Sequence, residues 1–262
     1  MLIIIAPSKT MELATTGSPS HATTTPVFLD EATQIASTLA MLSPTQLTQV
    51  MNASPAIVNN VHTMYANWRP DGQGKPALWT YRGDVYKGLY ADHLSPADAE
   101  WAEEHLLILS GLYGLLRPHD AIQRYRLEMK APLAIGMHRN LYEFWGDTLA
   151  KYVTERATDN TVVCLSSDEY AKAVLRHLPK HIRVITPVFY DNRPNGTIGT
   201  APIYNKMMRG VVTRWLVDHR VDTPEGLQDF TGHGYAYDPS RSTPDRPAYF
   251  RPVMRPLVFD RF

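Results

Sequence analysis

Leu106–Lys130, LLILSGLYGLLRPHDAIQRYRLEMK, decides how this chain is read. It opens as an apolar run with the look of a buried strand, then turns polar within a few residues. Ser110, Arg117, Asp120, Arg124, Arg126 and Glu128 crowd into a stretch punctuated by Gly111, Gly114 and Pro118. A strand that ends in small residues and then presents several arginines has the layout of an anion site, where backbone N–H groups and guanidinium forks converge on phosphate or carboxylate. Alternation through RYRLE puts Arg124, Arg126 and Glu128 on one side of an extended segment and Tyr125 and Leu127 on the other. Two arginines beside a carboxylate are either a recognition fork held by Glu128 or a structural ion-pair network. The residues themselves leave both open, as they leave open a metabolite or a nucleic acid as the partner.

Working outward, other segments carry strand and helix signals in irregular alternation. MLIIIAPSKT at the start reads as a first buried strand running into a polar turn, too short and without the basic region of a signal peptide. Thr161–Leu165 is a second apolar strand signal. Helices are expected from Asp30 to Leu42, from Ser43-Pro44 to Met51, from Ser54-Pro55 toward Trp68, from Ser95-Pro96 to His105, over Asn140–Val153, over Ser167–Leu178 and over Pro202–His219. Ile182–Tyr190 and Gly196–Ala201 read as two strands joined at Asn195-Gly196, with short terminal strands at Gly234–Tyr237 and Ala248–Arg251. Thr15–Pro26 reads as an extended loop. The fold class is α/β or mixed α+β around a mixed sheet, and no composition shift marks a second domain within residues 1–262.

Composition narrows the function. The 262 residues carry 26 basic and 26 acidic side chains, so no global field draws the chain to polyanions, and any such binding must come from uneven placement of charge. Residues 204–220 supply that unevenness, with Lys206, Arg209, Arg214 and Arg220 against Asp218 alone. No apolar run reaches the roughly 18–20 residues needed to span a bilayer. The single cysteine, Cys164, lies in the apolar run VVCL; it reads as a buried inert thiol, and the compartment as a reducing cytoplasm. Ten histidines are scattered without an HxH pair or a cysteine partner, and neither a dinucleotide nor a serine-hydrolase fingerprint is present, so no cofactor or metal is expected.

Further segments mix cations with hydroxyls. APSKT at 6–10 offers Ser8, Lys9 and Thr10 at a strand end, as an anion contact or as a plain polar turn. GDVYKGL at 83–89 sets Lys87 between two glycines, as a ligand-facing cation or a snorkelling surface residue. Ser166, Ser167, Glu169, Tyr170 and Lys172 sit where a strand meets a helix, and Ser167 is a ligand contact or a helix cap. Lys206 and Arg209 are three apart on one helix and share a face.

Together these segments resemble the YaaA family. The resemblance rests on APSKT, GDVYKGL, LSGLYGLLRPHDAIQRYRLEM at 109–129, NLYEFWGD at 140–147, SSDEYAKAV at 166–174, the basic helix around Lys206 and Arg209, and GYAYD with a late Arg251. It covers nearly the whole chain. The opening motif departs from the family's Ser-Pro-Ala-Lys-Thr at Ala6 and Ser8, Asn205 stands where a second lysine is common, and Arg124 replaces a common proline. The resemblance implies a cytoplasmic bacterial protein tied to peroxide protection, with DNA binding, an effect on free intracellular iron, a basic cleft and a helix–hairpin–helix element. The best place for that element is Pro44–Val61, which has Asn52-Ala53-Ser54 where hairpin glycines are usual.

Two functions follow as expectations. In the first, the chain binds DNA backbone with little sequence preference. In the second, it is an enzyme or receptor for a small phosphorylated or carboxylated, nucleotide-like ligand. The binding residues expected across the two are Lys9, Lys87, Ser110, Arg117, Arg124, Arg126, Glu128, Lys172, Lys206 and Arg209, with Arg214 added for the DNA groove.

Overall fold

A computed structural model describes residues 1–12 and 22–257. Most of the loop expected over Thr15–Pro26 lies outside the described residues.

The first apolar run is strand β1 (Leu2–Ile5), buried at all four positions, and a short β2 (Thr10–Met11) follows its polar turn. Helices α1 (Leu29–Ala40), α2 (Pro44–Met51) and α3 (Pro55–Asn67) come next. α1 begins one residue before Asp30, which therefore sits in the first turn, where the helix dipole favours its charge, and not at the cap. α2 starts with a capping box: the Ser43 hydroxyl accepts from the Gln46 backbone N–H, and the Gln46 side chain accepts from the Ser43 N–H. Asn52 ends it in the left-handed region at φ 43°, which asparagine tolerates better than most residues. Pro44–Val61 is thus two packed helices and a three-residue turn.

The chain continues through β3 (Lys75–Pro76), α4 (Ala77–Thr80), β4 (Tyr81–Arg82), α5 (Asp84–Leu89) and α6 (Pro96–His105). It then enters β5 (Leu106–Ser110), turns back as β6 (Gly114–Leu116), and adds β7 (Ala121–Ile122). The helix expected over Asn140–Val153 is two, α7 (Leu141–Trp145) and α8 (Thr148–Arg156). Gly146, at φ 50°, takes a conformation no helix can continue through. After β8 (Thr161–Leu165) and α9 (Asp168–Leu175), the strand expected over Ile182–Tyr190 also divides, into β9 (Arg183–Ile185) and β10 (Val188–Asn192). The break falls at Thr186-Pro187, where proline has no N–H to give a ladder. The remainder is β11 (Ile198–Gly199), α10 (Pro202–Asp218), β12 (Thr231–Gly232), β13 (Tyr235–Tyr237) and β14 (Ala248–Arg251).

These elements form a mixed α/β architecture with two five-stranded sheets. The first has the order β6-β5-β1-β8-β9, parallel except for the β5–β6 hairpin. Its three central strands are continuous apolar runs because they are covered on both faces. The second has the order β11-β10-β14-β13-β12, with β10 and β14 parallel. α10 touches both β8 and β10, and the buried side chains of the two sheets belong to one continuous core. From β1 the chain passes to β5 on one side; it later returns to β8 on the other. The connections therefore leave in opposite directions between β1 and β8, and a crevice opens at the carboxyl ends of those two strands.

Inside the second sheet, Asp191 and Arg251 face each other across the β10–β14 pairing, with Arg251 Nε 2.6 Å from Asp191 Oδ1. Both are buried, Tyr235 donates its hydroxyl to the same carboxylate, and the rings of Tyr204 and Tyr235 each stand 4.7 Å from the guanidinium. Removing one member of a buried pair strands the other charge. Asp191→Ala should therefore lower unfolding free energy by about 3–5 kcal/mol in urea titration; a loss under about 1 kcal/mol would mean the pair does not anchor this sheet.

Candidate functional site

Ala6–Thr10 leaves β1, and Ser167–Tyr170 leaves β8, so both segments line the crevice. Gly83–Lys87 supplies a third part of the wall, Glu128 and Lys130 a fourth, Lys206 and Arg209 a fifth. Together they enclose a cleft of about 840 Å³. Five cations, Lys9, Lys87, Lys130, Lys206 and Arg209, meet there from segments up to 200 residues apart.

Glycines decide how closely these segments approach. α5 and α10 cross at Gly88 and Gly210. A methyl group on Gly210 would overlap the Val85 carbonyl oxygen, and one on Gly88 the Met207 carbonyl oxygen. The crossing sets Lys87 of α5 beside Lys206 and Arg209 of α10. Gly83, at φ 121°, occupies a region open to glycine alone, and a Cβ there would stand 2.6 Å from Ser8 Oγ. At the end of β5, the arginine-rich strap passes over Gly111 so tightly that a Cβ would meet the Leu127 carbonyl at 2.6 Å. That contact carries Glu128 and Lys130 to the cleft. The alternation read from RYRLE holds: Tyr125, Leu127 and Met129 are buried, and Arg124, Arg126, Glu128 and Lys130 are not.

The charges are unequal in their company. Lys9 Nζ lies 2.5 Å from Glu128 Oε1; Lys130 Nζ lies 3.5 Å from Glu128 Oε2 and 3.4 Å from Glu169 Oε2. Burial alone would raise the Glu128 pKa, but bonding to Lys9 and the charges of Lys9 and Lys130 hold it below its ordinary value. Lys87, Lys206 and Arg209 form no side-chain hydrogen bond or ion pair among the described residues. Arg209 is half-buried, and that burial pulls its pKa down. Beneath it Cys164 is 3% exposed, with its thiol pKa pushed up by burial. Tyr86 donates to the Ala6 carbonyl at 3.1 Å, and Tyr86 and Tyr170 give the cleft aromatic surface.

Of the residues singled out from the sequence, Lys9, Lys87, Glu128, Lys206 and Arg209 come together here. Ser110, Arg117, Arg124, Arg126 and Lys172 do not line the cleft. Ser110 is fully buried; it accepts from the backbone N–H groups of Leu112 and Tyr113 and pairs with the Tyr125 hydroxyl. Arg117 turns to Asp120 at 2.7 Å, to Glu103 and to the Thr25 carbonyl, and the bond to Asp120 raises its pKa. Arg124 is exposed and Arg126 half-buried, and Glu128 faces lysines in place of the arginines. Lys172 sits over the Tyr142 ring at 5.3 Å. Arg214 bonds to Asp218 and to the carbonyls of Tyr90 and His93. Ser167 caps no backbone N–H of α9. The helices of Pro44–Val61 contribute nothing to the lining. Lys130 was missed in the sequence, although it continues the alternation of Arg126 and Glu128 by one step. Asp168 was missed as well, hidden as an ordinary first-turn acid.

The family described as peroxide stress protein YaaA matches residues 1–241. The chain belongs to that family. Relatives carry the name UPF0246 protein: one from Bordetella petrii is 40% identical over 96% of this chain and 99% of its own length. Others from Cellvibrio japonicus and Paracidovorax citrulli are each 40% identical, over 93% and 96% of this chain and 95% and 98% of their own lengths. Every residue lining the cleft falls within the span matched to the peroxide stress protein YaaA family. Among the described residues, no group of three or more His, Cys, Asp or Glu is placed to hold a metal ion, and no helix is long and apolar enough to cross a membrane.

Gly210→Ala should force α5 from α10 and cost about 1–3 kcal/mol in urea unfolding, whereas Lys206→Ala should stay within about 0.5 kcal/mol of wild type. The lowered pKa of Glu128 sets a second expectation. Its pairing stabilises the fold fully above the ordinary value of 4.5 and is lost as pH falls through the depressed value. Thermal melts of wild type and Glu128→Gln should therefore differ at pH 7 and converge in acid; curves that stay parallel would show that the pairing contributes nothing.

Proposed function

We propose that this peroxide stress protein works by binding DNA through phosphate contacts at the mouth of the cleft, with little sequence preference. One observation carries the reading: Lys87 and Lys206, from α5 and α10, are exposed and form no ion pair among the described residues at a single opening that Lys9 and Lys130 also line. Flexible, hydrated ammonium groups around an opening suit phosphate oxygens, which position a nucleic acid without reading its bases. With a net charge of zero, the attraction is local to this face. The groove is smaller than the sequence implied, because Arg117 and Arg214 are engaged by their own neighbours. The setting is the bacterial cytoplasm, and protection arises from occupancy of DNA; any effect on free iron is secondary to that binding.

Anisotropy titrations of a labelled duplex between about 50 and 200 mM salt test this. Each phosphate contact contributes about −0.9 to the log–log slope. Lys87→Glu combined with Lys206→Glu should make the slope shallower by about 1.8 and weaken binding to all sequences alike. An unchanged slope in the double variant would reject the cleft mouth as the DNA contact.

A further inference from the structure

The cations of the cleft divide into two sets with different consequences. Lys9 and Lys130 are neutralised by Glu128 and Glu169 on the strap and α9 side. Lys87, Lys206 and Arg209, on the α5–α10 side, form no side-chain hydrogen bond or ion pair among the described residues, although the charge of Asp168 acts on Arg209 without bonding to it. A half-buried guanidinium with no acceptor bonded to it is costly, and an anion placed against it recovers that cost. The opposite wall offers acceptors, because Glu128 and Glu169 are carboxylates that repel phosphate but take hydrogen bonds from hydroxyl or amino groups; Asp84, on the α5 side, is outnumbered by Lys87, Lys206 and Arg209. Between the walls, Tyr86, Tyr170, Val85 and Pro7 supply apolar surface.

The location adds a separate constraint. The space lies outside the carboxyl ends of β1 and β8, where the chain's connections part in opposite directions. In open parallel sheets this crevice is where small ligands settle. Its volume of about 840 Å³ falls in the range of about 300–1,000 Å³ typical of small-molecule sites. A duplex can meet the lysines at the rim but is too wide to reach the floor, so Arg209 and the carboxylate wall are left for something smaller.

We propose that the cleft is a binding site for a compact phosphate monoester that also carries hydrogen-bond donors, the class that includes nucleoside monophosphates. The phosphate sits against Arg209, Lys206 and Lys87. The donor-bearing part of the ligand faces Glu128 and Glu169, and a ring system packs on the Tyr86 and Tyr170 side. This goes beyond the DNA reading, which uses only the rim.

The test is calorimetry and thermal shift of the full chain with ribo- and deoxynucleoside 5′-monophosphates of each base, the corresponding nucleosides, and inorganic phosphate. At least one monophosphate should bind one to one and raise Tm by about 5 °C or more at a hundredfold excess over Kd. Its nucleoside should bind at least about tenfold more weakly. Arg209→Gln and, separately, Lys206→Gln should each weaken the monophosphate about tenfold or more while keeping the wild-type circular dichroism spectrum. Lys151→Ala, paired with Asp147 on α8 away from the cleft, should leave binding unchanged. No binding across the monophosphate panel overturns the proposal, as does equal binding by the folded Arg209→Gln and Lys206→Gln proteins. Duplex anisotropy on the same preparations separates the two readings: salt-sensitive duplex binding with a silent panel removes this site and leaves the rim contact standing.

Discussion

The cleft depends on the contact between α5 and α10. Two glycines, Gly88 and Gly210, let the helix backbones approach closely enough that either Cβ would overlap a carbonyl of the facing helix. Helices with ordinary side chains at the contact lie 8–10 Å apart; removing both side chains brings the cationic faces together. Without the crossing, Lys87 and the Lys206–Arg209 pair would be ordinary solvated cations on different helices. With it, they form one wall, and that wall is fixed before any ligand arrives. Binding then need not pay to order the backbone around the charges, the main benefit of preorganisation.

Electrostatic economy follows from the other wall. Five cations in one crevice would repel one another and weaken the fold. Glu128 and Glu169 offset Lys9 and Lys130, leaving an excess of positive charge on the α5–α10 side, where Lys87, Lys206 and Arg209 outnumber Asp84. The result is a dipolar space inside a chain of zero net charge. Such a space selects by orientation as well as by sign, because a ligand entering the wrong way meets carboxylate with phosphate.

What the sequence made legible was whatever depends on neighbours along the chain. Three apolar runs became the core strands β1, β5 and β8, and the Ser-Pro starts became α2, α3 and α6, because burial on both faces and the fixed φ of proline act locally. The long basic helix α10 was legible for the same reason. The breaks at Gly146 and at Thr186-Pro187 carried the right signals, yet an apolar periodicity running through each outweighed them. The site was legible in part. Lys9, Lys87, Lys206 and Arg209 stood out as cations beside glycines or strand ends. Their assembly did not, since Lys9 meets Glu128 across 119 residues and no local pattern encodes such a pair.

Arg117 shows most clearly why an arginine cluster in a sequence is not yet a site. It lies eleven residues before Glu128 in the segment richest in arginine, and it points elsewhere. The cause is Asp120, three residues on, whose carboxylate accepts both the Arg117 backbone N–H and its guanidinium and is itself fully buried. A buried carboxylate must be paired, and the nearest cation on a tight turn takes the place. Thr24 donates its hydroxyl to the same carboxylate, and the Thr25 carbonyl accepts from Arg117, so the interaction ties the segment after β2 to the turn after β6. The glycines at 88 and 210 work in the opposite sense: they contribute no charge and no side chain, yet they decide which charges meet. In this protein the residue types that announce chemistry are shared between holding the fold and binding, and the backbone at four glycines, 83, 88, 111 and 210, determines which of them face the cleft.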